Sequence, residues 1–301
     1  MTTSTAPIAG IARSALLVTL NISTYSGRKQ DRRTQEEVTA SKSAGSKRAA
    51  SVYKNLFADC KELDDINKFQ AKARQEHYRL TLPWSDSGDR LLPAASLIDY
   101  QGVMGNYKTE FARLVDAFLD KYDTLVAAAA FQLGTLFDRK EYLSRNQVAS
   151  RFSMESTFAP LPIAGDFRLD IESEIQQDLI NQYEAKANAM LEQANQDAWA
   201  RLHDVLTRMS DRLSIGEDGK KKVFHDTLIT NAEELCGLLT KLNVANDPML
   251  ETARKRLENT LIGVSTKELR EEDDTRAETK RRVDDILSSF DWADDSDSDE
   301  E

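Results

Sequence analysis

Few side chains in this sequence could do chemistry, and their spacing limits what they could do. Histidine occurs only at His77, His203 and His225. Each falls on a predicted helix, and no two stand at i, i+4, the spacing that sets two imidazoles around a metal on one helical face. Glu76 precedes His77, but adjacent helical residues point about 100° apart, so the pair makes a poor joint site. "GEDGK", residues 216 to 220, has the outline Gly-x-x-Gly-Lys. A phosphate-binding P-loop instead needs four residues between its glycines, a Ser or Thr after the lysine and a strand before the loop. No Gly-x-Ser-x-Gly elbow or Gly-x-Gly-x-x-Gly turn is present. Carboxylate pairs such as Asp64-Asp65 and Glu271-Glu272 lie in amphipathic or polar runs and read as solvated faces. Asp295-x-Asp297-x-Asp299 begins like a calcium loop but has neither the glycine at position six nor the glutamate at position twelve. The expectation is a non-enzymatic protein with no catalytic residues, no metal ligands and no cofactor.

Two charged runs remain as candidates for binding. Residues 28 to 48 carry seven Lys or Arg against Asp31, Glu36 and Glu37. Among them Arg28, Lys29, Arg32, Arg33, Lys47 and Arg48 are the candidate nucleic-acid contacts, since each neutralised phosphate adds a salt-dependent increment of affinity. Aromatic interleaving of the kind a single-strand stacking surface uses is limited to Tyr25 and Tyr53. At the other pole, residues 291 to 301 hold seven carboxylates and no base. There Phe290 and Trp292 offer apolar anchors beside Asp291, Asp294 and Asp295, a combination that a basic groove on a protein partner could grip. In composition this tail resembles the acidic tails of phage and bacterial single-stranded DNA-binding proteins, where the tail competes with DNA. The formal net charge of -11 excludes a protein built uniformly to coat phosphate, because an acidic surface repels a polyanion.

The elements that must position these residues are mostly helices. Forty per cent hydrophobic and thirty per cent charged residues, with 12 Gly and 6 Pro, suit a helix-rich globular chain. Residues 1–13 are small and polar and read as a flexible start. Leu16, Val18, Leu20 and Ile22 alternate with other residues and predict a strand near 15–25. Residues 28–45 have one strong apolar residue, Val38, and read as an exposed basic arm. From about Ser46 the spacing of Val52, Leu56, Cys60, Leu63, Ile66 and Ala73 predicts a long helix, which "TLPWSDSGDRLLP" ends as a compact loop. A second long helix, about 96–137, would return antiparallel to it. Further strands are expected near 151–158 and 167–171. A third helix, from about Glu172 to Leu213, carries an apolar stripe from Ile175 onward, long enough for helix packing or a dimer seam. Asp247-Pro248 predicts a capped helix start, and "STKE" at 265–268 a capping box.

The expected class is therefore mainly α (α+β): long antiparallel helices with a small three-stranded antiparallel sheet. A core with this sheet spans 14–262, a charged helical segment 263–290, and a disordered acidic tail 291–301. Cys60 and Cys236 sit on apolar stripes, which suits free thiols in a reducing cytoplasm. Ser14 to Leu20 is too short to span a bilayer, so no membrane partner is expected.

"LLVTLNISTYSGRKQDRR", "HYRLTLPWSDSGDRLLPAASLIDY", "SRFSMESTF" and "AGDFRLDI" together resemble an uncharacterised family of tailed phages, prophages and mobile elements, with a Ser-Gly-Arg-Lys motif after the first strand. The resemblance runs to about residue 262 and transfers no catalytic residue. It implies a phage or mobile-element origin, near an AAA ATPase and a von Willebrand-type partner. The leading expectation is a phage protein acting through protein–protein contacts in the host cytoplasm, with AAA ATPase or replication proteins as partners and homo-oligomers as an option. The alternative is a single-stranded DNA-binding accessory of replication or recombination, with ssDNA as partner. A further alternative is an acidic DNA mimic that inhibits a host enzyme.

Overall fold

A computed structural model describes residues 11–46, 48–162, 173–216, 219–290 and 292. In chain order the elements are β1 (Ala15–Ser23), β2 (Arg28–Gln30), α1 (Arg32–Ser41), β3 (Tyr53–Asn55), α2 (Lys61–Leu80), β4 (Leu82–Pro83), β5 (Arg90–Pro93), α3 (Leu97–Leu133) and α4 (Arg145–Ala149). They continue with β6 (Ser153–Pro160), α5 (Ser173–Leu213), α6 (Thr227–Leu242), α7 (Pro248–Leu261), α8 (Thr266–Glu271) and α9 (Asp273–Ser289). The chain divides into two compact units. The first takes residues up to Thr19, then Tyr78–Tyr100 and Phe158 onward; the second takes Leu20–His77 and Gln101–Thr157.

In the first unit the apolar stripe of α5 is covered within the chain. Ala187, Leu191, Ala194, Ala198, Leu202, Leu206, Met209 and Leu213 are all buried, at the steps of three and four that put them on one face. That face packs on α6 and α9, and α7 in turn packs on α6 and α9. The earlier part of the stripe is different, since Ile175 is half exposed. Two polar side chains fix the ends of these helices. Arg276 is buried and donates to the carbonyls of Arg212 and Leu213 at 2.8 and 2.9 Å and of Lys222 at 2.8 Å. One planar guanidinium thus satisfies the last carbonyls of α5, which otherwise lack partners. Asp247 caps α7 by accepting from the amides of Met249 and Leu250, with Pro248 at the first helical position as its fixed φ favours. The same carboxylate accepts from Trp199 Nε1 at 2.9 Å and Asn195 Nδ2 at 3.2 Å. The capping box at Ser265 forms as the spacing predicts.

The second unit is built on aromatic side chains. Phe57 meets Phe118, Tyr122 and Tyr142 at centroid distances of 5.8, 5.6 and 5.4 Å. Phenols of this kind must bond when buried: the Tyr142 hydroxyl donates to the Leu56 carbonyl at 2.8 Å, and that of Tyr122 to the Leu143 carbonyl at 2.7 Å. Burial pushes both phenols up to about 12. Lys121 to Glu62 and Phe69 on Tyr107 mark the antiparallel course of α2 and α3.

The main sheet has four strands in the order β4-β5-β1-β6, with a separate two-stranded ribbon of β2 and β3, and so corrects the expected three. β5 pairs antiparallel with β1 and with β4. Strands of two and four residues around Gly88 and ending at prolines give no alternation to read, which is why "TLPWSDSGDRLLP" reads as a loop. The expected strand at 167–171 lies outside the described residues. The helix expected from Ser46 begins only at Lys61. Leu56 and Cys60 are buried from a turn that includes Asp59 at a left-handed φ of 56°, so their spacing imitates a helical face.

Candidate anion-binding cleft

The basic run at 28–33 is held as a folded feature. Gly27 has φ of 61°, and a Cβ there would stand 3.2 Å from Leu63 and 3.3 Å from Phe57. Only glycine fits both the conformation and the space, and its carbonyl accepts from the Leu56 amide at 2.7 Å. Arg28, Lys29 and Gln30 then pair antiparallel with Asn55, Lys54 and Tyr53. Asp31 follows as the N-cap of α1, accepting from the Thr34 amide at 3.1 Å, while its own amide donates to the Val52 carbonyl. The hydrogen bond from Thr34 holds the Asp31 carboxyl below its usual range. The arm expected at 28–45 is therefore exposed but ordered, anchored through backbone and cap where apolar residues are missing.

These elements line one side of an open cleft of about 910 Å³, with the turn from Thr135 to Asp138 and Glu141 on the other. Lys54 forms the floor. Its ammonium lies 2.7 Å from Glu141 Oε2, 3.9 Å from Asp31 Oδ2 and 2.7 Å from the Leu136 carbonyl. Its side chain is only 10% exposed, so this ion group is part of the fold and not a free ligand site. At the rim, Arg33 pairs with Glu37 on the next turn of α1. Arg28, Lys29 and Arg32 are exposed and have no ion pair among the described residues. Arg28 lies over the ring of Tyr53, its guanidinium carbon 5.9 Å from the centroid, and Tyr53 is 57% exposed. The arrangement can bind an anion at three cations, with the exposed Tyr53 ring outside the cleft lining and next to Arg28.

The structure thus brings together Arg28, Lys29, Arg32 and Arg33. Arg48 is exposed and does not line the cleft, and Lys47 lies outside the described residues. Sequence reasoning missed Lys54 and Glu141, because Lys54 is a single charge and Glu141 closes the mixed-charge run Asp138-Arg139-Lys140-Glu141 in a turn, and only the fold pairs them. The candidate tail anchors are engaged within the chain. Trp292 packs edge-on against Trp199 at 5.4 Å, and its ring lies 4.9 Å from that of His203. Phe290 is 5.6 Å from Trp199, and the Arg256 guanidinium lies over the Phe290 ring at 5.8 Å. Asp291, Asp294 and Asp295 lie outside the described residues.

Of the remaining reactive groups, His77 is buried and His225 exposed. Both cysteines are free and buried, and burial pushes the Cys236 thiol up to about 11. No group of three or more His, Cys, Asp or Glu able to hold a metal occurs among the described residues. No described helix is long and apolar enough to cross a membrane. Compared with known proteins, the chain matches no family model, no curated protein and no solved structure.

Proposed function

We propose that this is a binding protein without catalysis of its own, acting in the cytoplasm by gripping an anionic macromolecule in the cleft of the second unit. One observation carries the proposal: Arg28, Lys29 and Arg32 are fixed at the rim of a concave surface, unpaired by any described carboxylate, in a chain whose formal charge is -11. Cations left unneutralised in so acidic a protein make a local attractive field for a polyanion. The resemblance to phage and mobile-element proteins supports a setting beside an AAA ATPase or replication proteins.

The test is retention on immobilised heparin at low salt. The wild-type protein is expected to bind despite its net charge and to elute as salt rises. Arg28→Glu/Lys29→Glu/Arg32→Glu should pass through unretained with an unchanged thermal melt. Equal retention of the two proteins removes the proposal.

A second reading, docking of a protein partner on an apolar surface, is favoured by Phe131 on α3, which is 90% exposed. In that case the charge-reversed protein would still hold its partner, whereas Phe131→Ser would release it.

A further inference from the structure

Resting on the cleft as the binding site, we infer that its ligand is single-stranded nucleic acid, with Tyr53 as a base-stacking surface and Arg28, Lys29 and Arg32 as phosphate contacts. Tyr53 stands outside the cleft lining, on the ribbon face opposite Lys29 and Lys54. Arg28, which lines the cleft and lies against the Tyr53 ring, joins the two, so that a strand held by the rim cations would reach the ring across the edge of the ribbon. Gln30 pairs with Tyr53 across the ladder, and Arg28, two residues back on the same strand face, lies against the Tyr53 ring. Side chains two apart on a strand share a face, so the ring and the guanidinium form one composite surface. With 57% of Tyr53 exposed, the ring is open to a further planar group.

Three ligand classes would satisfy the cations, and Tyr53 separates them. A duplex offers phosphates but keeps its bases stacked inside, so it could not use the ring. An acidic polypeptide offers carboxylates but has no base to lay on it. A single strand offers both, and stacking on an aromatic ring next to an arginine is tolerant of sequence. Of the carboxylates of the cleft, Asp31 and Glu141 face Lys54 and Glu37 faces Arg33, while Asp138 accepts from the Lys140 amide and keeps its charge. Five cations against four carboxylates leave the lining net positive by one, with Arg28, Lys29 and Arg32 as the cations in no ion pair among the described residues. Three phosphate contacts also make the affinity modest and its salt dependence calculable. At about 0.7 per phosphate on a single strand, log K should fall with log salt at a slope near −2.

The experiment titrates the full chain into labelled oligothymidylate, the corresponding duplex and polyglutamate at two salt concentrations, alongside Tyr53→Ala, Tyr53→Phe and the triple charge reversal. The inference expects binding to the single strand, weaker binding to the duplex and a slope near −2. Tyr53→Ala should weaken single-strand binding by roughly 5- to 150-fold, the span of one base stacked on an aromatic ring. Tyr53→Phe should bind as wild type, because the face and not the hydroxyl is used. Tyr53 is exposed, so an unchanged melt is expected for both variants. Equal binding of all three polyanions, or Tyr53→Ala binding like wild type, overturns the stacking inference and leaves the cleft standing. Preference for polyglutamate overturns it in favour of an acidic protein partner. No binding to any of the three, or binding that the charge reversal does not reduce, overturns the cleft and the inference together.

Discussion

Asp247 shows how one residue can hold several segments at once. It caps α7 and also receives the Trp199 indole and the Asn195 amide, so its removal strands a buried donor as well as a helix end. Asp247→Ala should cost about 2–4 kcal/mol by chemical denaturation, the sum of a lost cap and an unsatisfied donor. Burial acts to raise this carboxyl, but the hydrogen bonds from Trp199, Asn195 and the two amides outweigh it and hold it below the usual 3.8. A depressed folded-state pKa means that the stabilisation is complete above about pH 5, well above the unfolded value, and is lost as pH falls through the lowered value. The stability gap between wild type and Asp247→Asn should therefore be constant from neutral pH to about 5 and shrink on further acidification. A gap independent of pH would show that the charge plays no part. The cap itself is legible in "NDPML", because Asp before Pro at a helix start has a local cause. The bonds to Trp199 and Asn195 are not legible, since they bridge about fifty positions and no periodicity encodes them.

Among the elements, long helices follow from the sequence and short strands do not. The spacing over Ala187 to Leu213 repeats often enough to fix a face, and α5 ends at the predicted Leu213. β2 and β3, with three residues each, are too short to show a period and are marginal without outside support. Lys54 supplies much of that support by tying the ribbon to Glu141 and the Leu136 carbonyl. Lys54→Met leaves the Asp31 and Glu141 carboxylates without their cation, at a cost of about 2–3 kcal/mol, somewhat under that of a fully buried pair. Amide hydrogen exchange should rise at Arg28–Gln30 and Tyr53–Asn55 while the interior of α3 stays protected. Uniform loss of protection would mean that Lys54 supports the whole unit and not the ribbon. The candidate site was legible as a cluster of cations. Its floor, Lys54, comes about twenty-five positions later and its far wall, Thr135 to Glu141, about one hundred, which is why the cations alone read as an arm.

At the scale of the whole molecule, the sorting of charge along the chain is plain in the sequence, but its two poles do different things. The cations are displayed on a small ribbon, whereas Phe290 and Trp292 are seated on α5. The chain also passes between its two units at four places, each inside β1, α2, α3 or β6. Composition shifts and Gly or Pro runs, which mark linkers, cannot reveal boundaries of this kind. The seating of Trp292 gives the protein an optical property of its own. Of its three tryptophans, two lie edge to face with an imidazole stacked on one of them. Ultraviolet emission from this chain therefore reports the docking of its last aromatic residue without any added dye. Loosening that contact with Phe290→Ser should shift the spectrum to the red, and an unmoved maximum would mean that the indole was already in water.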